Sequence, residues 1–143
     1  MCIRDREKKF LTPGENFRVF KINGLKIGLM ICADVLFMES FQFYNVHKVD
    51  IIFVPTTSSY KEEDTPETKL KRDEEIWLKG AKIADCYIIK VSGVGKILGR
   101  KILGRSLVAS PEKIIFRNNT DGEKQEKIIS INLNLNTQNK KKK

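Results

Sequence analysis

The sequence predicts a layered α/β protein with a mixed β-sheet. Two observations lead there. Up to about residue 91, strand-sized apolar runs alternate with helical stretches. Beyond that point strand-sized runs follow one another directly around Pro111, which makes the sheet mixed.

Each element has its own signal. Phe17–Ile22 and Leu25–Ile31 flank Asn23-Gly24, two residues that tolerate the positive φ of a type I′ hairpin turn. Asp34 offers an N-cap for a helix from Leu36 to Val46, and Ile51–Val54 is a short, fully apolar strand. The polar loop Thr56-Thr57-Ser58-Ser59 closes that strand. Thr65-Pro66-Glu67 supplies a cap, a proline at the first helical position and an acid at the positive end of the helix dipole. The helix it opens has Leu70, Trp77, Ala81 and Ala84 as its buried stripe. Cys86–Val91, Ser106–Ala109 and Ile114–Phe116 read as further strands. Ile129, Ile131, Leu133 and Leu135 alternate with polar residues, as in a half-exposed strand.

Composition narrows the function. The net charge is +9, but the terminal run Lys140–Lys143 contributes four of it, and elsewhere acids and bases interleave as on a solvated surface. No nucleic-acid partner is expected, because the aromatic residues sit in apolar runs and not among the basic ones. No apolar run approaches the ~20 residues that span a bilayer, so no membrane partner is expected either. One histidine and three cysteines without a C-x-x-C pair leave no zinc signature. The expected compartment is cytoplasmic, with reduced thiols and no cofactor.

The chain divides into three stretches. Met1–Asp5 reads like the translation of a transposon end from sequencing-library preparation, with Arg6 at the junction. Residues 1–6 are therefore set aside as a non-native scar. Residues 7–136 form the partial domain, and 137–143 a Lys-rich tail expected to be disordered. Lys96–Arg100 and Lys101–Arg105 repeat KILGR in tandem; a period of five is too short for a solenoid, so it is a local duplication or chance.

Cys32 is where chemistry could sit. It ends an apolar strand just ahead of a helix start, the place where open α/β sheets hold ligands. Amide N–H groups and the dipole at a helix start favour a thiolate and can hold the oxyanion of a tetrahedral intermediate. His47, beyond the predicted helix, is no obvious base for it, and Cys86 reads as an inert core thiol.

Lys26-Ile27-Gly28-Leu29-Met30-Ile31-Cys32-Ala33-Asp34, followed by Phe37 and Glu39, resembles the K-x-G-x-x-I-C-Y-D-x-R-F-P-E nucleophile segment of the carbon–nitrogen hydrolase (nitrilase) superfamily. The likeness continues in order. Val49-Asp50-Ile51-Ile52-Phe53-Val54-Pro55 resembles the A-D-I-I-x-x-P strand. Trp77 through Ile89 and Val91–Gly95 resemble the W-helix and the Y-V-V-x-x-N-x-x-G strand. Gly104–Pro111 resembles G-x-S-x-I-x-x-P, and Glu7–Gly14 resembles E-K-x-x-F-x-P-G. Ala33, Leu36 and Met38 depart from the common Tyr, Arg and Pro, which leaves the substrate open.

The resemblance implies the C-terminal part of an α-β-β-α sandwich that dimerises when full length, and hydrolysis of an amide, carbamoyl or nitrile carbon–nitrogen bond. In that chemistry a cysteine forms a thioester, a glutamate shuttles protons and a lysine stabilises negative charge. It makes Cys32 the nucleophile, Glu7 a secondary active-site acid and the Ala33 amide an oxyanion donor. Thr56 and Thr57 are pocket-lining candidates or ordinary loop residues. Asp34 is a helix cap or a site residue. Glu39 is a surface charge or, as favoured, the family's buried structural carboxylate. The principal catalytic glutamate and lysine belong to segments upstream of Glu7, so this chain is expected to be inactive alone. N-acyl transfer, or a non-catalytic interaction role on the same fold, are the alternatives.

Overall fold

The computed structural model describes Thr12 and residues 16–58 and 63–135. The expectations for residues 1–6, Glu7 and the tail 137–143 lie outside the described residues. Strands β1 (Val19–Ile22) and β2 (Leu25–Leu29) form the predicted hairpin, with Asn23 and Gly24 at φ 48° and 81°. A 3-10 turn over Cys32–Leu36 leads to α1 (Met38–Val46), then β3 (Ile51–Thr56). Helix α2 (Pro66–Asp73) passes through a π-helical turn at Glu74–Leu78 into α3 (Lys79–Ala84), and β4 (Tyr87–Ser92) follows. Then come β5 (Gly95–Ile97), β6 (Arg100–Ile102), β7 (Leu107–Ala109), β8 (Ile114–Arg117) and a 3-10 turn at Gly122–Lys124.

Six strands form one mixed sheet in the order β1-β2-β3-β4-β7-β8. β2, β3 and β4 are parallel neighbours, and the β1–β2, β4–β7 and β7–β8 pairs are antiparallel. The α/β architecture is therefore as predicted. Side chains alternate across the strands. Gly28, Met30, Ile52, Val54 and Ile88 face the helices and join Val35, Phe41, Tyr44, Trp77, Ala81 and Ala84 in the core. On the opposite face Leu29, Phe53 and Ile89 align in one row and Pro55 and Val91 in the next. Leu29, Pro55 and Val91 are exposed there.

Four local expectations are corrected. The helix predicted from Leu36 splits, because Phe37 is extended and separates the 3-10 turn from α1. Phe37, not Asp34, is thus the N-cap residue of α1. Leu70 lies off the buried stripe at 41% exposure, whereas Trp77, Ala81 and Ala84 are buried. A π turn holds more residues than an α turn, so the stripe of α3 does not continue in phase into α2. Thr65 caps α2 as expected, its hydroxyl accepting the Thr68 N–H at 3.2 Å. Residues 129–135 keep their alternating burial but form no ladder among the described residues; the Tyr87 hydroxyl donates to the Asn134 carbonyl at 2.8 Å. The KILGR repeat, which the sequence left as a local duplication or chance, folds back on itself as the β5–β6 hairpin, Lys96 opposite Lys101.

Candidate active site

A cleft of about 450 Å³ opens at the carboxyl ends of the parallel strands. Cys32 and Ala33 enter it from the end of β2, Thr56, Thr57 and Ser58 from the end of β3, and Lys90 from β4. Ile76 and Trp77 close it on the helix side.

Cys32 is exposed and its backbone sits at φ 45°, a left-handed conformation that side-chain-bearing residues adopt at a cost of order ~1 kcal/mol or more. Asp34 stabilises that turn. It is buried, and its carboxylate accepts the Ile31 N–H at 2.9 Å, while its carbonyl accepts the Ser40 hydroxyl at 3.1 Å. At the end of β2 the hydroxyl of Tyr44, on α1, donates to the Leu29 carbonyl at 2.7 Å, and burial pushes its pKa up to about 12. The strand leading to Cys32 is thereby tied to α1 by a neutral phenol.

The other expected residues separate clearly. Thr56 shares a hydrogen bond with the Ser92 hydroxyl at 2.7 Å, and Ser58 meets the same hydroxyl at 3.1 Å. Ser92 N–H in turn donates to the Ser106 hydroxyl at 3.0 Å, so hydroxyls from three segments meet beside the cleft. Thr57 is exposed and lines the cleft. Glu39 is exposed in the first turn of α1, near the positive end of the helix dipole; within this chain it is not buried. His47 caps the far end of α1, against the Phe43 carbonyl and ring, and does not line the cleft. Cys86 is buried, and desolvation pushes its thiol up to about 12. Glu7 lies outside the described residues.

The sequence reading missed a group of buried charges. Asp64 accepts Arg72 at 2.6 Å and Arg105 at 2.7 Å, which lowers its pKa to about 2. Glu123 pairs with Lys69 at 2.8 Å, and Asp73 lies 3.6 Å from Arg117. Burial raises Asp73, against the pull of Lys90 and Arg117. Lys90 is 6% exposed, with its ammonium 5.0 Å from the centre of the Trp77 ring. Burial lowers its pKa to about 8, partly opposed by Asp73. One signal was readable: a lone lysine at a core-facing position of the apolar run Ile88-Ile89-Lys90-Val91. The ion pairs join residues 64 to 123, a grouping that only the fold creates.

Helices over one face of a mixed sheet, with an exposed cysteine on a positive-φ turn at the strand ends, define an α/β protein with a thiol at the mouth of its cleft. The chain belongs to the carbon–nitrogen hydrolase family, whose sequence model matches residues 2–142. It is 30% identical over 133 residues to a nitrilase from Pyrococcus abyssi, covering 91% of this chain and 46% of that protein. Among solved structures it superimposes on a carbon–nitrogen hydrolase from Helicobacter pylori G27 with a TM-score of 0.72, at 25% identity over 88% of this chain and 47% of the other. A mutant amidase from Nesterenkonia sp. AN1, carrying a covalent acetamide moiety at its active-site cysteine, gives a TM-score of 0.68. There the identity is 20%, over 82% of this chain and 43% of that one, and the likeness speaks to fold. The chain thus spans less than half the length of each of these proteins.

Proposed function

We propose that this chain is the nucleophile-bearing part of an enzyme that hydrolyses a non-peptide carbon–nitrogen bond through a thioester on Cys32. One observation carries the reading: Cys32 is exposed on a positive-φ turn at the mouth of the cleft, while Cys86 is buried. The thiolate attacks an amide carbonyl carbon, the Ala33 amide helps hold the developing negative charge, and ammonia or an amine leaves with the thiol's proton. At a nitrile carbon the adduct is a thioimidate, which takes up one water before ammonia leaves and the thioester remains. Water then cleaves the thioester. Asp34 is a positioning residue that fixes the turn. Thr56 and Thr57 form the pocket wall.

The proton-transfer base is assigned to segments upstream of this chain. What supports this is the state of the cleft carboxylates: Glu123 is engaged by Lys69, and Asp73 by Arg117. Glu7 is proposed as the secondary acid. The exposed apolar row on the second sheet face fits the inner face of the α-β-β-α sandwich, and a dimer is proposed for the full-length protein.

Ammonia release from short amides by the full-length protein tests the activity; it is expected, and Cys32→Ala should abolish it. Without general acid–base help, typically worth ~10²–10⁴-fold, the isolated chain should release none. It should still be acylated stoichiometrically by p-nitrophenyl acetate, whose leaving group needs no proton. Amide turnover that survives Cys32→Ala would refute the assignment.

A further inference from the structure

We infer that Lys90 is a second nucleophile of the cleft, an amine that takes over the acyl group carried by the Cys32 thioester. Two lysines line the cleft, and they differ in what holds them. Lys69 is bound by the Glu123 carboxylate at 2.8 Å, as an ammonium with no electron pair to give. Lys90 forms no ion pair or hydrogen bond among the described residues; its nitrogen faces the Trp77 ring, 5.0 Å from the centre. Although the residue is 6% exposed, that nitrogen is not among the sealed atoms that lack a partner, as Arg105 Nε and Nη2 are; it opens on the cleft. Burial disfavours the charged form and lowers the Lys90 pKa to about 8, so free amine is present near neutral pH. Asp73 of α2 and Glu123 of the 3-10 turn favour the ammonium, whereas Arg72 of α2 and Arg105 ahead of β7 oppose it.

Strand register brings the two groups within reach. Leu29, Phe53 and Ile89 share a row across β2, β3 and β4, so Met30, Val54 and Lys90 share the next, and Cys32 stands two residues beyond Met30. Two strand spacings, about 10 Å, separate β2 from β4. The flexible four-carbon stem of a lysine on one side, and a cysteine sulfur with its acyl group on the other, span such a gap. The neutral Lys90 amine adds to the thioester carbonyl carbon, the carbon–sulfur bond breaks, and Cys32 leaves as a thiolate that takes the proton shed by the nitrogen. The products are a thiol and an amide, the less activated acyl compound. Water is the competing acceptor and needs a base, but Glu123 is engaged by Lys69 and Asp73 by Arg117. A neutral amine needs none. The acyl group then remains in the cleft on Lys90, and a buried cation is lost.

This inference rests on the proposed function, because Cys32 delivers the acyl group. The test separates loading from transfer. The chain is pulsed with p-nitrophenyl acetate, the reagent is removed by rapid desalting, and acetyl groups are then followed by peptide mapping. Hydroxylamine cleaves a thioester and spares an amide. Acetyl lost from Cys32 should reappear on Lys90 in hydroxylamine-resistant form, at a rate independent of protein concentration. Between about pH 7 and pH 9 that rate should rise roughly tenfold and level off above about 8; a lysine of ordinary pKa would rise roughly 100-fold with no plateau. The Cys32→Ala chain should gain no acetyl on Lys90 once the reagent is gone. Lys90→Arg keeps a cation beside Trp77 but no free amine; it should load Cys32 as the parent does and form no such amide. A Cys32 thioester that is lost to water with Lys90 unmodified, or acetyl that reaches the exposed Lys96 as readily as Lys90, would overturn this inference and leave the proposed function standing. No thioester on Cys32 after the pulse would overturn the proposed function, and this inference with it.

Discussion

In the first copy of the KILGR repeat, Lys96–Arg100, Leu98 is 97% exposed at the tip of a hairpin; in the second, Lys101–Arg105, Leu103 is 4% exposed. Ile97 and Ile102 differ in the same sense. Gly99 has φ 75° and open space around it, while a Cβ on Gly104 would come within 2.7 Å of a Val94 methyl. Arg100 is exposed, whereas Arg105 joins Asp64 at the cleft. Identical local propensities thus give opposite burial. The second copy is drawn in by contacts distant in sequence: the Leu103 N–H donates to the Ser58 carbonyl and the Gly104 N–H to the Glu123 carbonyl, at 2.9 and 2.7 Å. Among the described residues the first copy pairs with its twin across the β5–β6 hairpin.

Paired substitutions can break that comparison. The largest effect is expected from Leu103→Ala, which should cost about 2–5 kcal/mol, while Leu98→Ala should stay within about 0.5 kcal/mol of the parent. Urea unfolding followed by the fluorescence of Trp77 measures both. Equal losses would mean that the two copies are not distinguished by packing.

Arg105→Met should come next, at roughly 1–3 kcal/mol, because it leaves the buried Asp64 carboxylate with Arg72 alone. Its pH dependence carries the diagnosis. The Asp64 pKa is lowered from 3.8 to about 2, so its contribution is fully present above about pH 4 and is lost as the pH falls towards 2. The gap between the parent and Arg105→Met should therefore narrow over that range. Arg100→Met should show no such narrowing.

The smallest effect is a gain. Leu98 holds φ 48° and precedes Gly99 at 75°, the geometry of a type I′ turn, where Asn-Gly is preferred to Leu-Gly. Leu98→Asn should raise stability by a few tenths to about 1 kcal/mol, visible as a higher urea midpoint. Loss of stability would show that Leu98 has a partner in the folded protein.

What could be read from the sequence follows the same division between local and distant causes. The hairpin at Asn23-Gly24, the Thr65-Pro66 helix start and the strand runs were legible because each is specified by neighbouring residues. Cys32 was legible as the end of a strand next to a turn, and Asp34 as a residue that holds that turn. The π turn was not, since nothing in Glu74–Leu78 departs from an ordinary helical sequence, and it took Leu70 off the stripe. Glu39 lies exposed in this chain, where the family likeness and not the local sequence had favoured burial. Asp64, Arg105 and Glu123 could not be grouped from the sequence, because the loops that unite them are set by the order of β4, β7 and β8. Lys90 alone among the missed residues announced itself, as a charge inside an apolar strand.

The two described cysteines repeat the contrast at the site itself: Cys32 is exposed at the cleft, and Cys86 is buried with its thiol raised to about 12. Iodoacetamide labelling of the native chain at neutral pH, with peptide mapping over time, tests the assignment of Cys32 most directly. Alkylation should appear first at Cys32 and reach Cys86 only when the protein is unfolded. Preferential labelling of Cys86 in the native chain would contradict the account.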